Sequence, residues 1–316
     1  MRSGERKLGA ATATRMRAAA LGLLGVVGCQ GGNTNGGTPA GSATASASAA
    51  PAPVASASAA GSASAEAALP KVPEVSLTSE DVIKVMNPKR LAPYSGATGT
   101  LRGRVTVKGD PPPSTGLSFP TGKCGEAAAT YGRLFRVGQQ NALADALVTV
   151  VNYDGYVPER EEVEKVTIHG CAFSSRTVAM SYGQRVEVWN LDPLEPYMPN
   201  LDGAPFTAVL VAMPQGDPVK FYPPQPGYYT LTDKLPKPFL KADVFVLKFP
   251  THDVTDLDGR FEIKNIPVGK VLTAALLPAI SKDAKKQIEI KEGDNTVDFE
   301  LEFNLEKFNE AKRNKK

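Results

Sequence analysis

The chain has 316 residues, a formal net charge of +3 and 42% hydrophobic residues, so it is long enough for two modest domains. Two histidines and three cysteines leave little material for a metal centre made of imidazoles and a free thiolate. No stripe of Lys and Arg interleaved with aromatic residues is present, so the composition does not favour a nucleic-acid partner.

Residues 1–28 are predicted to be an export signal and not part of the fold. A basic segment precedes the apolar run 18–27, which is too short to span a bilayer. Loss of this segment removes five basic residues and Glu5, which lowers the formal net charge from +3 to about −1.

The export signal ends in VVGC at residues 26–29, which resembles the lipobox of bacterial lipoproteins. In that family the cysteine becomes the first mature residue and carries a diacylglycerol on its sulfur. The resemblance implies a lipid anchor on Cys29. Gln30 stands where lipoproteins retained in the inner membrane carry Asp, which favours the outer membrane. The alternative is a plain signal peptide with a chance cysteine.

Residues 29–70 are predicted to be a disordered tether. They are nearly all Gly, Ala, Ser, Thr, Asn and Pro, with Glu66 as the one charge, so they cannot bury enough apolar surface to fold. An Ala-rich helix is the alternative, which the Gly, Pro and Ser/Thr content opposes. Residues 71–96 are predicted to hold a linker and a short helix that begins at Thr78 and ends near Met86, before Asn87-Pro88.

From residue 97 the pattern predicts β structure. Alternating strands are expected at 100–107 and 146–151, and again at 271–276, 286–291 and 295–303. Before the later group stand DLDGRF at 256–261 and IPVG at 266–269. This order resembles the carboxypeptidase-regulatory, or prealbumin-like, β-sandwich. The resemblance implies that residues 97–162 and 250–303 form one sandwich, that residues 163–249 are inserted into it, and that residues 304–316 are a charged tail.

Within the insert, strands are expected at 166–171, 184–190, 227–231 and 242–249. The loop before the last strand reads TDKLPKPFLKA at 232–242. The insert resembles cupredoxin domains of the plastocyanin and methylamine-utilisation type, whose loop carries Cys-x-x-His-Pro-x-Met and whose upstream motif is Asn-x-Asp-Pro-x-x-His. Without a gap, the residues that match these motifs are Asn190, Asp192, Pro193, Pro238 and Ala242.

All four copper-ligand positions of that family are replaced in this chain. The ungapped alignment puts Pro196, Lys234, Lys237 and Leu240 at these positions. Lys has no lone pair to offer at neutral pH, and Leu and Pro offer no ligand. The sequence therefore predicts a cupredoxin-like domain without metal or other cofactor. The alternative is a copper-binding or electron-transfer protein with atypical ligands, drawn from His169, His252, Met198 or Met213.

Cys124 and Cys171 remain for a disulfide. An exported chain with two cysteines besides the lipid site usually pairs them, and the periplasmic relatives carry cysteines at comparable places. Two buried free thiols are the alternative. His169 and Cys171 share one face of a predicted strand, but a paired cysteine has no thiolate to give a metal.

No nucleophile elbow, HExxH motif or phosphate loop is present, so no enzymatic activity is predicted. The carboxylates near Asp256 fit turns and lack the regular spacing of a calcium loop. The loop 191–203 is the candidate binding surface, with Tyr197, Met198 and Asp202 as its contacts. The alternative is an ordinary Pro-rich connection whose Tyr and Met pack inward.

The sequence thus predicts an all-β chain of two nested Greek-key-type β-sandwiches after a disordered tether. The first functional hypothesis is a non-enzymatic lipoprotein of the cell envelope that faces the periplasm or the cell surface and binds a protein or glycan there. The second is the copper protein with atypical ligands. A carbohydrate-binding accessory module is a third, which rests on fold-level analogy alone.

Overall fold

The computed structural model describes residues 77–205, 209–235 and 237–314. These residues are mostly β structure, and the prediction of an all-β chain with two nested sandwiches is confirmed. The export signal, Cys29 and the tether lie outside the described residues. Within the described part of the chain, no helix has both the length and the apolar character that crossing a membrane requires.

The described residues form sixteen strands and three α-helices, beside two single-turn 3₁₀ helices at Gln139–Asn141 and Pro278–Ile280. The helices are α1 (Ser79–Met86), α2 (Gly125–Tyr131) and α3 (Leu305–Arg313). The strands are β1 (Thr98–Gly109), β2 (Leu147–Val151), β3 (Val163–His169), β4 (Ala172–Phe173), β5 (Thr177–Ser181), β6 (Arg185–Asn190), β7 (Pro199–Asp202), β8 (Val219–Phe221), β9 (Gly227–Asp233), β10 (Lys241–Leu247), β11 (His252–Val254), β12 (Arg260–Pro267), β13 (Gly269–Leu277), β14 (Lys282–Ile290), β15 (Gly293–Thr296) and β16 (Phe299–Phe303).

The outer sandwich consists of two four-stranded sheets. In one, β1 pairs with β12 on one side and with β15 and β16 on the other; the second has the order β11-β2-β13-β14. Alternate residues of β1, such as Leu101 and Val105, are fully buried and pack into a core of aliphatic and aromatic side chains. Gly103 has no side chain because the carbonyl of Val297 would lie 1.7 Å from its Cβ.

The inserted sandwich also consists of two four-stranded sheets, with the orders β5-β10-β9-β7 and β4-β3-β6-β8. Its strands alternate in the same way, so Tyr229, Leu231 and Asp233 of β9 point inward while Tyr228 and Thr230 point outward. The core is a second apolar cluster, separate from that of the outer sandwich. Each of the two sandwiches is thus stabilised by burial of its own apolar faces.

Strands of the outer sandwich flank the insert in the chain. β2 precedes it and β11 follows it, and these two strands pair antiparallel, with Thr149 opposite His252. Asp145, just before β2, accepts hydrogen bonds from the guanidinium of Arg136 and from the backbone N–H of Arg176 in the insert. The two sandwiches are therefore joined at the point where the chain passes between them.

Three segments differ from the predicted outline or complete it. Helix α1 begins where the capping pattern predicts, with the Thr78 hydroxyl accepting from the N–H of Asp81. α2 has no counterpart in the sequence analysis. The C-terminal segment forms α3, which Asn304 caps and whose Phe308 packs 5.7 Å from the ring of Phe303, whereas the sequence suggested only a charged tail.

Candidate functional site

Three loops meet at one end of the inserted sandwich and form what we call the tip, namely residues 191–198, 209–215, and 234–235 with 237–240. Asn190, at the end of β6, holds the first two loops together, because its side-chain amide donates to the carbonyls of Glu195 and Ala212. The third loop joins them through the N–H of Lys234, which donates to the carbonyl of Met198. The side chain of Asn190 and the backbone bond from Lys234 to Met198 therefore hold the three loops together.

Asp192 is a buried carboxylate that ties the tip to the disulfide. It accepts hydrogen bonds from the N–H groups of Gly170 and Cys171 and from the hydroxyl of Tyr197. Cys171 is bonded to Cys124, as predicted. On the other side of the disulfide, Lys123 donates to Glu195 at 2.8 Å. The disulfide thus holds the segment beside Cys124 against the tip.

Tyr197 is fully buried, so the expectation that it is exposed on the binding loop is wrong. Its ring enters the core of the inserted sandwich while its hydroxyl donates to Asp192, which satisfies both ends of an amphipathic side chain. Burial and the Asp192 carboxylate both raise the pKa of Tyr197. Met198 is half-buried, and Asp202 is half-exposed on the outer face of β7. For Tyr197, the alternative is therefore correct: its side chain packs inward, as in an ordinary connecting loop.

Lys237 lies at the centre of the tip, where its side chain is 12% exposed. Its ammonium group is 4.6 Å from the centre of the Tyr197 ring, 3.8 Å from Glu195 and 3.9 Å from Asp233. Such a position over an aromatic face and between two carboxylates stabilises a cation. One of the four vacated ligand positions therefore holds a fixed positive charge.

The other three positions do not converge on Lys237. Lys234 points to the outer face of the sheet, where it donates to Asp202 at 2.9 Å, and Pro196 is exposed. Leu240 is buried, 1% exposed, within the core of the inserted sandwich. Of the four positions, Lys237 thus lies close to Glu195, the residue before Pro196, whereas Lys234 points away from both.

Asp233 is the residue that faces inward at the end of β9, and the sequence analysis missed it. One carboxylate oxygen accepts from the N–H groups of Met198 and Leu235, whereas the other has no hydrogen-bond partner among the described residues. Burial raises the pKa of Asp233, although these N–H groups and the charge of Lys237 oppose the shift. The alternation of β9 could have identified it, since Tyr229 and Leu231 precede it at a spacing of two.

Around this polar centre, the tip exposes apolar side chains. They are aliphatic or thioether groups on the two loops that Asn190 holds together, and Leu194 and Val209 are 83% and 78% exposed. The members of this apolar surface are Leu191, Leu194, Val209, Val211 and Met213. Scattered exposed apolar residues are ordinary, but a cluster on adjacent loops is typical of an interaction site.

The candidates for an atypical metal site are spread over both sandwiches. His169 is exposed at the end of β3, His252 lies on β11 of the outer sandwich, and Met198 and Met213 lie on loops of the tip. Within residues 77–205, 209–235 and 237–314, no group of three His, Cys, Asp or Glu side chains has a geometry that could hold a metal ion. The structure therefore does not assemble these residues into one ligand set.

A cleft of about 420 Å³ lies between the two sandwiches. His252 and Glu164 both line it, and the ring nitrogen Nε2 of His252 is 3.3 Å from the hydroxyl of Ser181. Burial lowers the pKa of His252 to about 4, and burial together with the charges of Asp253 and Glu159 raises the pKa of Glu164 to about 7. Between these values both groups are uncharged. Ser181 itself is fully buried.

No protein-family model matches the sequence, and no curated protein matches it. Among solved structures, the copper-containing nitrite reductase from Thermus scotoductus SA-01 is 19% identical over 31% of this chain, with a TM-score of 0.25; the match spans only 25% of the reductase. A mutant of amicyanin in the Cu(I) form is 19% identical over 27% of this chain and 83% of its own, with a TM-score of 0.24. Amicyanin from Paracoccus versutus is 18% identical over 29% and 85%, with a TM-score of 0.23. These structural neighbours are cupredoxin-like.

Proposed function

We propose that this chain is a non-enzymatic lipoprotein of the bacterial envelope, and that the tip of its inserted sandwich binds a protein without a metal ion. The observation that carries the proposal is the apolar surface of the tip, which clusters on two loops fixed by Asn190. Loops held on a rigid sandwich are common binding surfaces.

The position of Lys237 supports a metal-free tip. A cation that entered between Glu195 and Asp233 would meet the ammonium group, which already lies within 4 Å of both carboxylates. A type-1 copper site also needs a thiolate, and both Cys124 and Cys171 are consumed by their disulfide. The ammonium group of Lys237 thus supplies the positive charge that a metal ion would bring.

A protein partner fits the tip better than a glycan. The exposed side chains are aliphatic, whereas sugar rings are usually held by exposed aromatic faces and many hydrogen bonds. The two lysines of the tip are next to carboxylates, Lys234 to Asp202 and Lys237 to Asp233, and Lys123 beside the disulfide is next to Glu195. The polar groups are thus largely paired with one another, and the apolar groups remain for a partner.

A paired substitution tests the proposed surface. Leu194→Asp should abolish capture of a partner from solubilised envelope, because a charge would have to be buried in an apolar interface. Leu257, 61% exposed on a turn of the outer sandwich, offers a matched control, so Leu257→Asp should leave capture unchanged. Capture that both variants retain, or both lose, would place the binding surface elsewhere.

Copper titration of the signal-free protein separates this proposal from the copper alternative. We expect no intense thiolate-to-copper absorption band and no saturable copper binding. If a band appeared, the disulfide would have to be open and the tip would be a metal site, which would refute the metal-free proposal.

The lipid anchor is proposed at Cys29, which lies outside the described residues. Cys29→Ser should move the protein from the membrane fraction to the soluble fraction, because one diacylglycerol on this sulfur is the proposed anchor. Fractionation of a Cys29→Ser, Leu194→Asp double variant serves as the control for retention by a partner. A double variant that stays with the membrane would contradict the anchor.

A further inference from the structure

A groove of about 670 Å³ lies between α1 and the inserted sandwich, away from the tip. One wall is formed by α1 with Val82 and Ile83, and the opposite wall contains Tyr222, which is 56% exposed. Tyr182 and Met86 are buried at its base. Among the described residues, none covers the groove, and its walls contain both apolar and polar groups.

The helix is held in place by a close contact, so the groove is a fixed feature. Gly183 has a φ of +103°, and a Cβ on it would lie 2.7 Å from Cγ1 of Val82. Met86 at the end of α1 packs into the core of the inserted sandwich. The width of the groove is therefore set by packing of α1 against the turn before β6.

The lining has the chemistry of a site for a proline-rich extended segment. Three tyrosines contribute to it, Tyr156, Tyr182 and Tyr222, and aromatic-lined grooves bind the pyrrolidine rings of polyproline II segments. The wall also carries Arg160, Glu161 and Glu162, which provide both signs of charge. A partner with prolines and a few charges of both signs would complement this surface.

The chain carries such a segment next to the groove. Residues 70–76 read PKVPEVS, and Leu77, the next residue, lines the groove. In a polyproline II helix, with three residues per turn, Pro70 and Pro73 lie on the same side. Pro70 lies six residue steps before Ser76, a reach of roughly 19 Å at 3.1 Å per residue, so this length of chain is enough for the two prolines to contact the groove beside Leu77.

We propose that this groove binds the chain's own residues 70–73, with both prolines against the tyrosines and Lys71 near Glu161 and Glu162. These residues lie outside the described part of the chain. The proposal is independent of the function assigned to the tip. Its consequence is that the exit point of the tether is set beside α1, at a defined place on the inserted sandwich.

Hydrogen exchange of the mature chain carrying Cys29→Ser tests the proposal, with the amides of residues 79–86 and 182–184 as the readout. Pro70→Ser with Pro73→Ser should accelerate their exchange at least ~5-fold, and Tyr222→Ala should do the same, because each removes part of one interface. The matched control is Pro51→Ser with Pro53→Ser, two prolines farther along the same N-terminal region. It should change nothing.

Two results would overturn the proposal. The first is exchange that is identical in the wild type and the Pro70/Pro73 variant. The second is protection that grows with protein concentration, because it would mean that the groove binds a second copy. Addition of a synthetic peptide of residues 69–76 should restore protection in the Pro70/Pro73 variant and should not restore it in Tyr222→Ala.

Discussion

The two sandwiches share one architecture and differ in what they bury. Each consists of two four-stranded sheets around an apolar core. In the outer sandwich, the carboxylate of Asp256 stays exposed on its turn and is satisfied locally by the N–H groups of Asp258 and Arg260. In the inserted sandwich, Asp192 and Asp233 are buried.

Burial of a carboxylate costs free energy unless hydrogen bonds and charges compensate it. The outer sandwich also has a buried carboxylate, Asp145, but it lies at the junction with the insert and is paired with the guanidinium of Arg136. At the tip of the inserted sandwich, the hydrogen bonds of Asp192 and Asp233 instead hold three loops in one arrangement. The comparison can be tested by changing matched residues in the two sandwiches.

The largest expected effect is on the disulfide, which only the inserted sandwich has among the described residues. Cys124→Ala and Cys171→Ala should each lower the free energy of unfolding by about 4 kcal/mol, because a loop of this length is no longer closed. The double variant should cost little more than either single change. Trp189, the only tryptophan, lies on β6 and reports unfolding of the inserted sandwich by fluorescence.

Far-ultraviolet circular dichroism, which follows both sandwiches, provides the control for that measurement. If the Trp189 transition moves and part of the dichroism transition does not, the sandwiches unfold separately. Additive losses in the two single variants, or labelling of both thiols in the native protein, would contradict the shared covalent link.

Asp192→Ala should lower the free energy of unfolding by about 3 kcal/mol, because three donors lose their acceptor in a buried place. The matched change Asp256→Ala in the outer sandwich should cost about 1 kcal/mol, since its two N–H groups become accessible to water. Urea denaturation of both variants checks the difference. Equal losses would mean that the buried network at the tip is not more demanding than an exposed turn.

The cleft between the sandwiches should give a pH-dependent effect. Because the pKa of Glu164 is raised from 4.5 to about 7, its contribution to stability is present below pH 4.5 and is lost as the pH rises through 7. Glu164→Gln should therefore stabilise the protein by about 3 kcal/mol at pH 8 and leave it unchanged at pH 4. Glu300→Gln, exposed on β16, is the control.

His252 acts in the opposite sense in the same cleft. Its pKa is lowered from 6.5 to about 4, so the stability that it contributes above pH 6.5 is lost as the pH falls towards 4. In the wild type the two slopes largely offset each other, and the Glu164→Gln variant should show a rise in stability between pH 4 and 6.5. If the free energy of unfolding of that variant did not change between pH 4 and 6.5, the lowered pKa of His252 would be contradicted.

The smallest effect concerns two lysines, each over an aromatic ring. Lys237→Met should cost about 1 kcal/mol, because Asp233 loses its nearby cation, whereas Lys286→Met, over Phe299 on the outer sandwich, should cost about half as much. Thermal denaturation of the two variants makes the comparison. A larger loss for Lys286→Met would show that Lys237 does not compensate the buried carboxylates.

Much of the fold could be predicted because strands leave a period of two in the sequence. The alternation of residues 100–107 predicted most of β1, and the DGRF and IPVG turns predicted where the strands β12 and β13 begin. The disulfide followed from the two cysteines left in a chain that is predicted to be exported. In each case the local sequence pattern and the overall fold favour the same structure.

The site was harder to predict because a motif alignment gives positions but not the side of a strand. Lys234 was aligned with a ligand, yet it follows the inward residue Asp233 and so points outward. Tyr197 was expected at the surface as a contact of the candidate binding loop 191–203, but the Asp192 acceptor inside the domain compensates the burial of its hydroxyl. Both outcomes depend on partners distant in sequence.

The pairing of β2 with β11 has a consequence for the order in which the chain folds. Roughly 100 residues separate these strands, and closing a loop of that length costs about 4 kcal/mol of chain entropy. All strands of the inserted sandwich are synthesised before β11, when the outer sandwich has only β1 and β2. An inserted sandwich that folds first brings its two ends together, so β2 and β11 meet as neighbours and the entropy of closure has already been lost.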